Sequence, residues 1–245
     1  TNIKKDSRYK FYKGDICDEK IINLILEKFD IDAVINFAAE SHVDNSIESP
    51  DEFVQTNIYG TFNLLRCINK RNKLQKNEVI FLHISTDEVF GSLNLNDPSF
   101  TEENSYKPNS PYSASKAASD HLVRAWYKTY NLPAIITNCS NNYGPNQNNE
   151  KFIPKIINNA LKKQTIPIYG NGKNIRDWLY VEDHCKAIIK ILRKGKVGET
   201  YNIGGSNEKE NIQVIWMICE ILEELLPFSK NSSCESDYSG YKDLI

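Results

Sequence analysis

Neither sign of charge dominates this chain: 30 lysines and arginines against 32 aspartates and glutamates leave a net −2. That balance gives no long-range pull toward nucleic acid or an anionic membrane. No apolar run approaches the ~18 residues a membrane span requires, and no signal peptide opens the chain. The six cysteines, at 17, 67, 139, 185, 219 and 234, never form a C-x-x-C pair. Their spacing argues against a metal site or a disulfide framework and for reduced thiols in a cytoplasmic protein. Glycine is sparse, 11 in 245 residues, and no three take the spacing G-x-x-G-x-x-G. What is present suits a globular chain: 40% hydrophobic and 25% charged residues, with length for one large α/β domain or a domain plus a small lobe.

Apolar runs and helical periods alternate. "YKFYKGDI" (9–16) reads as a short strand, "DEKIINLILEKF" (18–29) as a helix and "DAVINFAA" (32–39) as a buried strand. A helix opened by Pro50 is expected to run to about residue 69, followed by the buried strand "EVIFLHIS". Pro111 opens a second helix, to 130, before the strand "PAIITNCS" (133–140). Continuous apolar strands separated by helices predict an α/β fold, a Rossmann-like doubly wound parallel sheet over 1–145. Residues 146–226 read as a smaller C-terminal lobe interleaved with the sheet. It has helices at 152–163, 182–194 and 211–225 and strands at "IPIYG" and "TYNIGG". Residues 227–245 have no period and are expected to form a loose tail. There is no internal repeat.

In open parallel sheets, ligands sit at the carboxyl ends of the strands. Three strands here end in polar groups: "NFAAESHVD", "HISTDEVFG" and "TNCSNNYGP". The second stops on Thr86 and is followed at once by two acids, Asp87 and Glu88. Tyr112 and Lys116 lie four apart on the helix opened by Pro111, so they share a face. A cation beside a phenol stabilises the phenolate and makes tyrosine a usable base for an alcohol proton near neutrality. Thr86 supplies a second hydroxyl for the same alcohol.

Thr86 followed by Tyr112-x-x-x-Lys116 resembles the extended short-chain dehydrogenase/reductases. The longer strings "NFAAESHVDNSI", "STDEVFG", "PYSASKAASDHLVRAWYKTYNLPAIITNCSNNYGP", "IPIYGNG" and "IRDWLYVEDH" are similar to the dTDP-glucose 4,6-dehydratase family. The resemblance implies NAD as cofactor and dTDP-glucose as substrate. It gives Tyr112, activated by Lys116, the proton of the sugar 4-hydroxyl as hydride passes to NAD, and Thr86 a hydrogen bond to that oxygen. Glu88 then removes the proton on carbon 5 while Asp87 protonates the departing 6-hydroxyl. Such a pair needs one carboxyl protonated and one ionised. The resemblance also implies cofactor contacts at Asp15, Ile16, Ala38, Ala39, Thr56 and Asn138, besides Tyr112 and Lys116. Substrate contacts are implied at Asn141, Lys151, Phe152, Pro167, Tyr169, Arg176 and Asn211, besides Thr86. Arg176 suits a pyrophosphate; the competing reading is an ion pair with Asp177 or Glu182. His42 reads as a structural histidine. No metal is implied, and a homodimer through helices 51–69 and 111–130 is expected. A UDP- or CDP-sugar dehydratase, an epimerase, or an inactive sugar-nucleotide-binding fragment are the alternatives.

Against the resemblance stands the missing glycine fingerprint, which would cradle the NAD pyrophosphate at a helix N-terminus. With a first residue of Thr1 and no arginine-containing final segment, the sequence reads as a chain incomplete at both ends, lacking the first strand and its glycine-rich loop. These 245 residues alone are therefore expected to bind NAD weakly or not at all. Calorimetric titration of this chain with NAD tests this; micromolar affinity overturns it.

Overall fold

A computed structural model describes residues 3–75, 77–94, 96–168, 170–232 and 238–245. They divide into two compact units: 1–138 with 190–202, and 139–189 with 203–245.

In the first unit a parallel sheet takes the order β1-β2-β3-β6. Its strands are β1 (Ala33–Asn36), β2 (Ile80–Thr86), β3 (Ala134–Cys139) and β6 (Thr200–Ile203), the last residues of β3 and β6 passing into the second unit. β1 runs parallel to β2 with Ala33 opposite Ile80 and Asn36 opposite His83. The helices are α1 (Glu19–Lys28), α2 (Val43–Glu48), α3 (Pro50–Phe53), α4 (Thr61–Leu74) and α5 (Pro111–Tyr130). α1, α4 and α5 pack with the sheet through Leu26, Leu64, Leu65, Ile68, Phe81, Val123 and Ile136, all buried. α1 starts where Asp18 accepts from the Lys20 N–H at 2.8 Å. α5 starts at a capping box between Ser110 and Ser113, with Pro111 at its first position. It stops at Asn131, whose φ of 56° leaves the helical region. A serine cap of this kind contributes about 1 kcal/mol.

The helix expected from Pro50 to 69 reaches Leu74, because α3 and α4 are joined by a π-helical segment, Val54–Gly60. Residues 9–16, expected as a strand, pair with no other segment among the described residues. A strand exists only in a ladder, and these residues find none.

The second unit holds a sheet of order β4-β5-β7: β4 (Asn141–Tyr143), β5 (Ile175–Tyr180) and β7 (Glu208–Glu210). β5 runs parallel to β4 and antiparallel to β7. Its helices are α6 (Phe152–Leu161), α8 (Asn211–Leu225) and α7 (Val181–Lys194), whose residues from 190 on belong to the first unit. Residues 166–168 of the expected strand "IPIYG" are not in a strand: Ile166 instead donates its N–H to the Leu244 carbonyl at 2.8 Å and buries its side chain.

That bond ties in part of 227–245, the stretch expected as a loose tail, of which 233–237 lie outside the described residues. Phe228, Tyr241 and Leu244 join Ile156, Ile166, Ile215 and Leu222 in the second unit's core. Tyr241 is fully buried, with its hydroxyl donating to the Leu226 carbonyl at 3.0 Å and accepting from the Asn231 amide at 3.2 Å. Its described residues contribute single anchors and short turns, not a regular face. Cys234 lies outside the described residues. Tyr241→Ala is expected to remove about 3–5 kcal/mol, as deletion of a buried aromatic ring does. Urea unfolding reads this as a lowered midpoint, and an unchanged midpoint shows that the tail does not close the core.

Candidate active site

β2 delivers its last residue, Thr86, into a 3-10 turn over Asp87–Phe90. Two anchors hold the turn: Val89 and Phe90 are buried against Ala117, Phe100 and Tyr106. Gly91 ends it at φ 100°, where a Cβ would meet the Lys107 carbonyl at 2.5 Å, so only glycine fits. Between anchor and strand, Asp87 and Glu88 stand half-buried. The Thr86 hydroxyl accepts from the Glu88 N–H at 3.3 Å and donates toward Asp87 Oδ1 at 3.4 Å. One hydroxyl thus touches the Asp87 carboxylate and the Glu88 backbone N–H.

Tyr112, Lys116 and Asp120 follow one another at four-residue spacing on α5 and share a face. Tyr112 is half-buried, its ring edge-on to Phe53 with centroids 6.3 Å apart. Lys116 is buried; its Nζ donates to the Ile84 carbonyl at 2.8 Å and lies 3.4 Å from His83 Nε2. Asp120 is buried as well. Its Oδ2 accepts from Ser85 Oγ at 2.8 Å, the Tyr106 hydroxyl at 3.0 Å and Asn138 Nδ2 at 3.2 Å. Its Oδ1 makes no hydrogen bond and faces His83 Nε2 at 3.4 Å. Asn138 Nδ2 also donates to the Thr86 carbonyl at 3.0 Å.

Burial dominates the electrostatics. It pushes the Asp120 carboxyl up to about 6, against the pull of Lys116 and of the Ser85, Tyr106 and Asn138 donors. Burial first, and the Lys116 charge second, push His83 well below its ordinary 6.5, so the ring is neutral at pH 7. The Tyr106 phenol is raised by burial and by the adjacent Asp120. His83, Ser85 and Asp120 were not legible as site residues; the only available signal was the period, since Asp120 continues the Tyr112–Lys116 face by one turn.

The expected cofactor residues are spread over several elements of the first unit, from the turn before α1 to α5 and β3. Asp15 is exposed and caps the turn before α1 by accepting the Cys17 N–H at 2.8 Å. Ile16 packs on the core so close to Gly60 that a Cβ there would lie 2.5 Å from its Cδ1. The Ala38 N–H donates to Asn36 Oδ1 at 3.2 Å, Ala38 being exposed and Ala39 half-buried. Thr56 lies in the π-helical segment beside Asn57, which reasoning from sequence missed. Asn57 is buried and closes a two-way amide clamp on Glu40 at 2.9 and 3.0 Å, and donates to Ser115 Oγ at 2.8 Å. It thus ties the loop after β1 to α5. His42 precedes α2 with its Nδ1 buried and without a hydrogen bond.

In the second unit, Asn141 pairs with Trp178 across β4 and β5, and Phe152 stacks on the Trp178 ring at 5.8 Å. Arg176 lies two residues from Trp178 on β5, hence on the same face, and is exposed. The competing ion pair with Asp177 or Glu182 is not formed. The Asp177 carboxylate accepts the Gly205 and Asn207 N–H groups at 2.6 and 2.8 Å. Lys151 immediately precedes α6, and Asn211 opens α8 with its N–H donating to the Asn174 carbonyl at 2.9 Å. Pro167 is half-buried one residue after Ile166, and Tyr169 lies outside the described residues. A groove of about 440 Å³ runs beside α6, lined among others by Tyr143, Gln147, Ile153 and Asn158; none of the expected residues lines it. Among the described residues no cluster of three metal-ligating side chains occurs, and no helix is long and apolar enough to cross a membrane.

The family model described as GDP-mannose 4,6 dehydratase matches residues 1–239. The dTDP-glucose 4,6-dehydratase of Haemophilus influenzae is 54% identical over 99% of this chain and 72% of that protein. The enzyme of the same name from Salmonella typhimurium is 53% identical over 93% of this chain and 66% of its own length. Among solved structures, a double mutant of dTDP-glucose 4,6-dehydratase from Streptomyces venezuelae, with NAD and DAU bound, superposes with a TM-score of 0.84. It is 41% identical, over 90% of this chain and 66% of that one. The chain thus spans roughly two thirds of the length of these relatives.

His83 gives a measurable consequence. Its folded-state affinity for a proton is depressed, so below the ordinary 6.5 the unfolded chain takes up the proton and stability falls with pH. Asp120 acts oppositely: its raised carboxyl binds a proton more tightly folded than unfolded, which adds stability as pH falls through about 6. His83→Gln is therefore expected to flatten the loss of stability just below pH 6.5. The check is the urea midpoint against pH; an unaltered slope places the proton uptake elsewhere.

Proposed function

The chain belongs to the GDP-mannose 4,6 dehydratase family, and from that premise we propose that the protein carrying it dehydrates dTDP-glucose to dTDP-4-keto-6-deoxyglucose with NAD. The observation that carries the reading is the Thr86–Asp87–Glu88 turn at the end of β2, where one hydroxyl touches both acid-pair residues beside the Tyr112–Lys116 face. The relatives' name favours dTDP-glucose over a UDP or CDP sugar and a dehydratase over an epimerase.

The residues present fit one part of NAD. Exposed Ala38 and half-buried Ala39 offer a strip of small side chains after β1, and the Asn57 clamp fixes the backbone beyond it. Asp15, Ile16, Thr56 and Asn138 would complete that wall, with Lys116 toward the reacting end. The pyrophosphate is not provided for, since no glycine fingerprint occurs in this chain. When bound, NAD supplies a hydride acceptor and later returns the hydride.

The chain's own residues handle protons. Tyr112 takes the proton of the sugar 4-hydroxyl, its phenolate favoured by the Lys116 ammonium, while the Thr86 hydroxyl holds that oxygen. The 4-ketone acidifies the proton on carbon 5. Glu88 removes it and Asp87 donates a proton to the 6-oxygen, so that water leaves across carbons 5 and 6. Glu88 then gives its proton back to carbon 5, and because the 4-oxygen remains a ketone, Tyr112 releases to solvent the proton it took while Asp87 regains one from solvent. Asn141, Lys151, Phe152, Pro167, Tyr169, Arg176 and Asn211 hold the nucleotide diphosphate, Arg176 by bidentate contact with phosphate oxygens. The protein acts as a cytoplasmic homodimer joined through residues 51–69 and 111–130.

Glu88→Gln in the complete protein tests the elimination. Loss of a general base is expected to lower water loss from dTDP-glucose by at least ~100-fold. Undiminished turnover removes the base role from Glu88.

A further inference from the structure

Behind Thr86 and Lys116 lies a buried polar cluster that none of the chemistry above uses. Asp120 sits at its centre and touches three segments besides its own helix. It reaches β2 through Ser85 and His83, β3 through Asn138, the segment before α5 through Tyr106, and it stands one turn along α5 from Lys116. A lone carboxylate at 1% exposure is costly, and three donors converge on a single one of its oxygens. The opposite charge nearest to it is that of Lys116, with the neutral His83 ring between: Nε2 is 3.4 Å from Lys116 Nζ and 3.4 Å from Asp120 Oδ1. Asn138 spans from Asp120 to the Thr86 carbonyl, and Lys116 from His83 to the Ile84 carbonyl. Both branches end on the last backbone carbonyls of β2.

We propose that Asp120 is a positioning residue: the buried counter-charge that holds the Lys116 ammonium beneath Tyr112 and, through Asn138, fixes the strand end that carries Thr86. This role rests on the dehydratase reading. Asp120 touches no reacting atom; its protonation removes the counter-charge and loosens both branches. The groups facing it are Lys116 on its own helix, His83 from β2, Tyr106 from the preceding segment and the uncharged Asn138 from β3. His121 reaches only the far side, against the Tyr106 ring, and Asp87 and Glu88 follow at the end of β2. Asp120 is raised to about 6, so its charge changes within the pH range of an activity assay.

The test is the pH profile of the complete, NAD-loaded protein. In the wild type, kcat for dTDP-glucose falls as pH drops through about 6. Asp120→Asn is expected to lower kcat at pH 8 about tenfold or more, to leave KM within about twofold, and to abolish that limb. Asp120→Glu restores both. A limb retained at the same midpoint in Asp120→Asn, or a kcat unchanged within about twofold, overturns the proposal. Tyr106→Phe decides the matter if Asp120→Asn does not fold. It removes one donor from the carboxylate, so the limb moves to higher pH; an unmoved limb overturns the proposal. A wild type that fails to dehydrate dTDP-glucose sinks the dehydratase reading instead. The infrared band of a buried protonated carboxyl then tests Asp120 by itself: it must grow as pH falls through about 6 and be missing in Asp120→Asn.

Discussion

α5 lies on β2 through charge and hydroxyl contacts where an apolar seam would be the simpler solution. His83 and Ser85 point from one face of the strand, and Lys116, Ser119 and Asp120 meet them from one face of the helix. Taking a carboxylate and an ammonium out of water costs several kcal/mol each, even after relaxation. That cost is offset only if donors, opposite charge and backbone carbonyls all meet at once, as they do around Asp120 and Lys116. Such a junction tolerates little variation in angle or register, which is what a group of proton carriers requires of its support.

The rest of the candidate site follows from that fixed junction. Tyr112 stands one turn before Lys116, so its height above the sheet is set by the lysine. Thr86 ends a strand whose last carbonyls are held by Lys116 and Asn138. Asn57 secures the loop after β1 to Ser115 on the same helix, one residue from Lys116. α5 is thus the common reference for the loops after β1 and β2.

The elements that were legible in the sequence were those whose signal is local. α5 declared its start through Pro111, and the apolar runs of β1, β2 and β3 needed no knowledge of their neighbours. β5 was hidden because "IRDWLY" follows a glycine-rich turn and pairs with strands of only three residues, β4 and β7, which carry no period of their own. The π-helical segment, "VQTNIYG", left no mark because it lies within a continuous helical run and carries no period of its own. In the site, Thr86, Tyr112 and Lys116 announced themselves by spacing and position. Asp120 did not: within "AASDHL" a buried aspartate reads the same as a solvated one. Only the distant partners Ser85, Tyr106 and Asn138 distinguish the two, and they come together through the fold alone.

Tyr241 bears on the order in which this molecule can be made. The ring that completes the second unit's core, and Leu244 beside it, are translated long after the α6 residues they cover. Chains fold from the N-terminus as they emerge from the ribosome. The first unit's core needs nothing from beyond β6, whereas Ile156, Ile166 and Ile215 must wait, partly open to water, until the last anchors appear. A ribosome that stalls shortly before residue 241 leaves Ile156, Ile166 and Ile215 uncovered, the kind of half-closed surface that chaperones recognise.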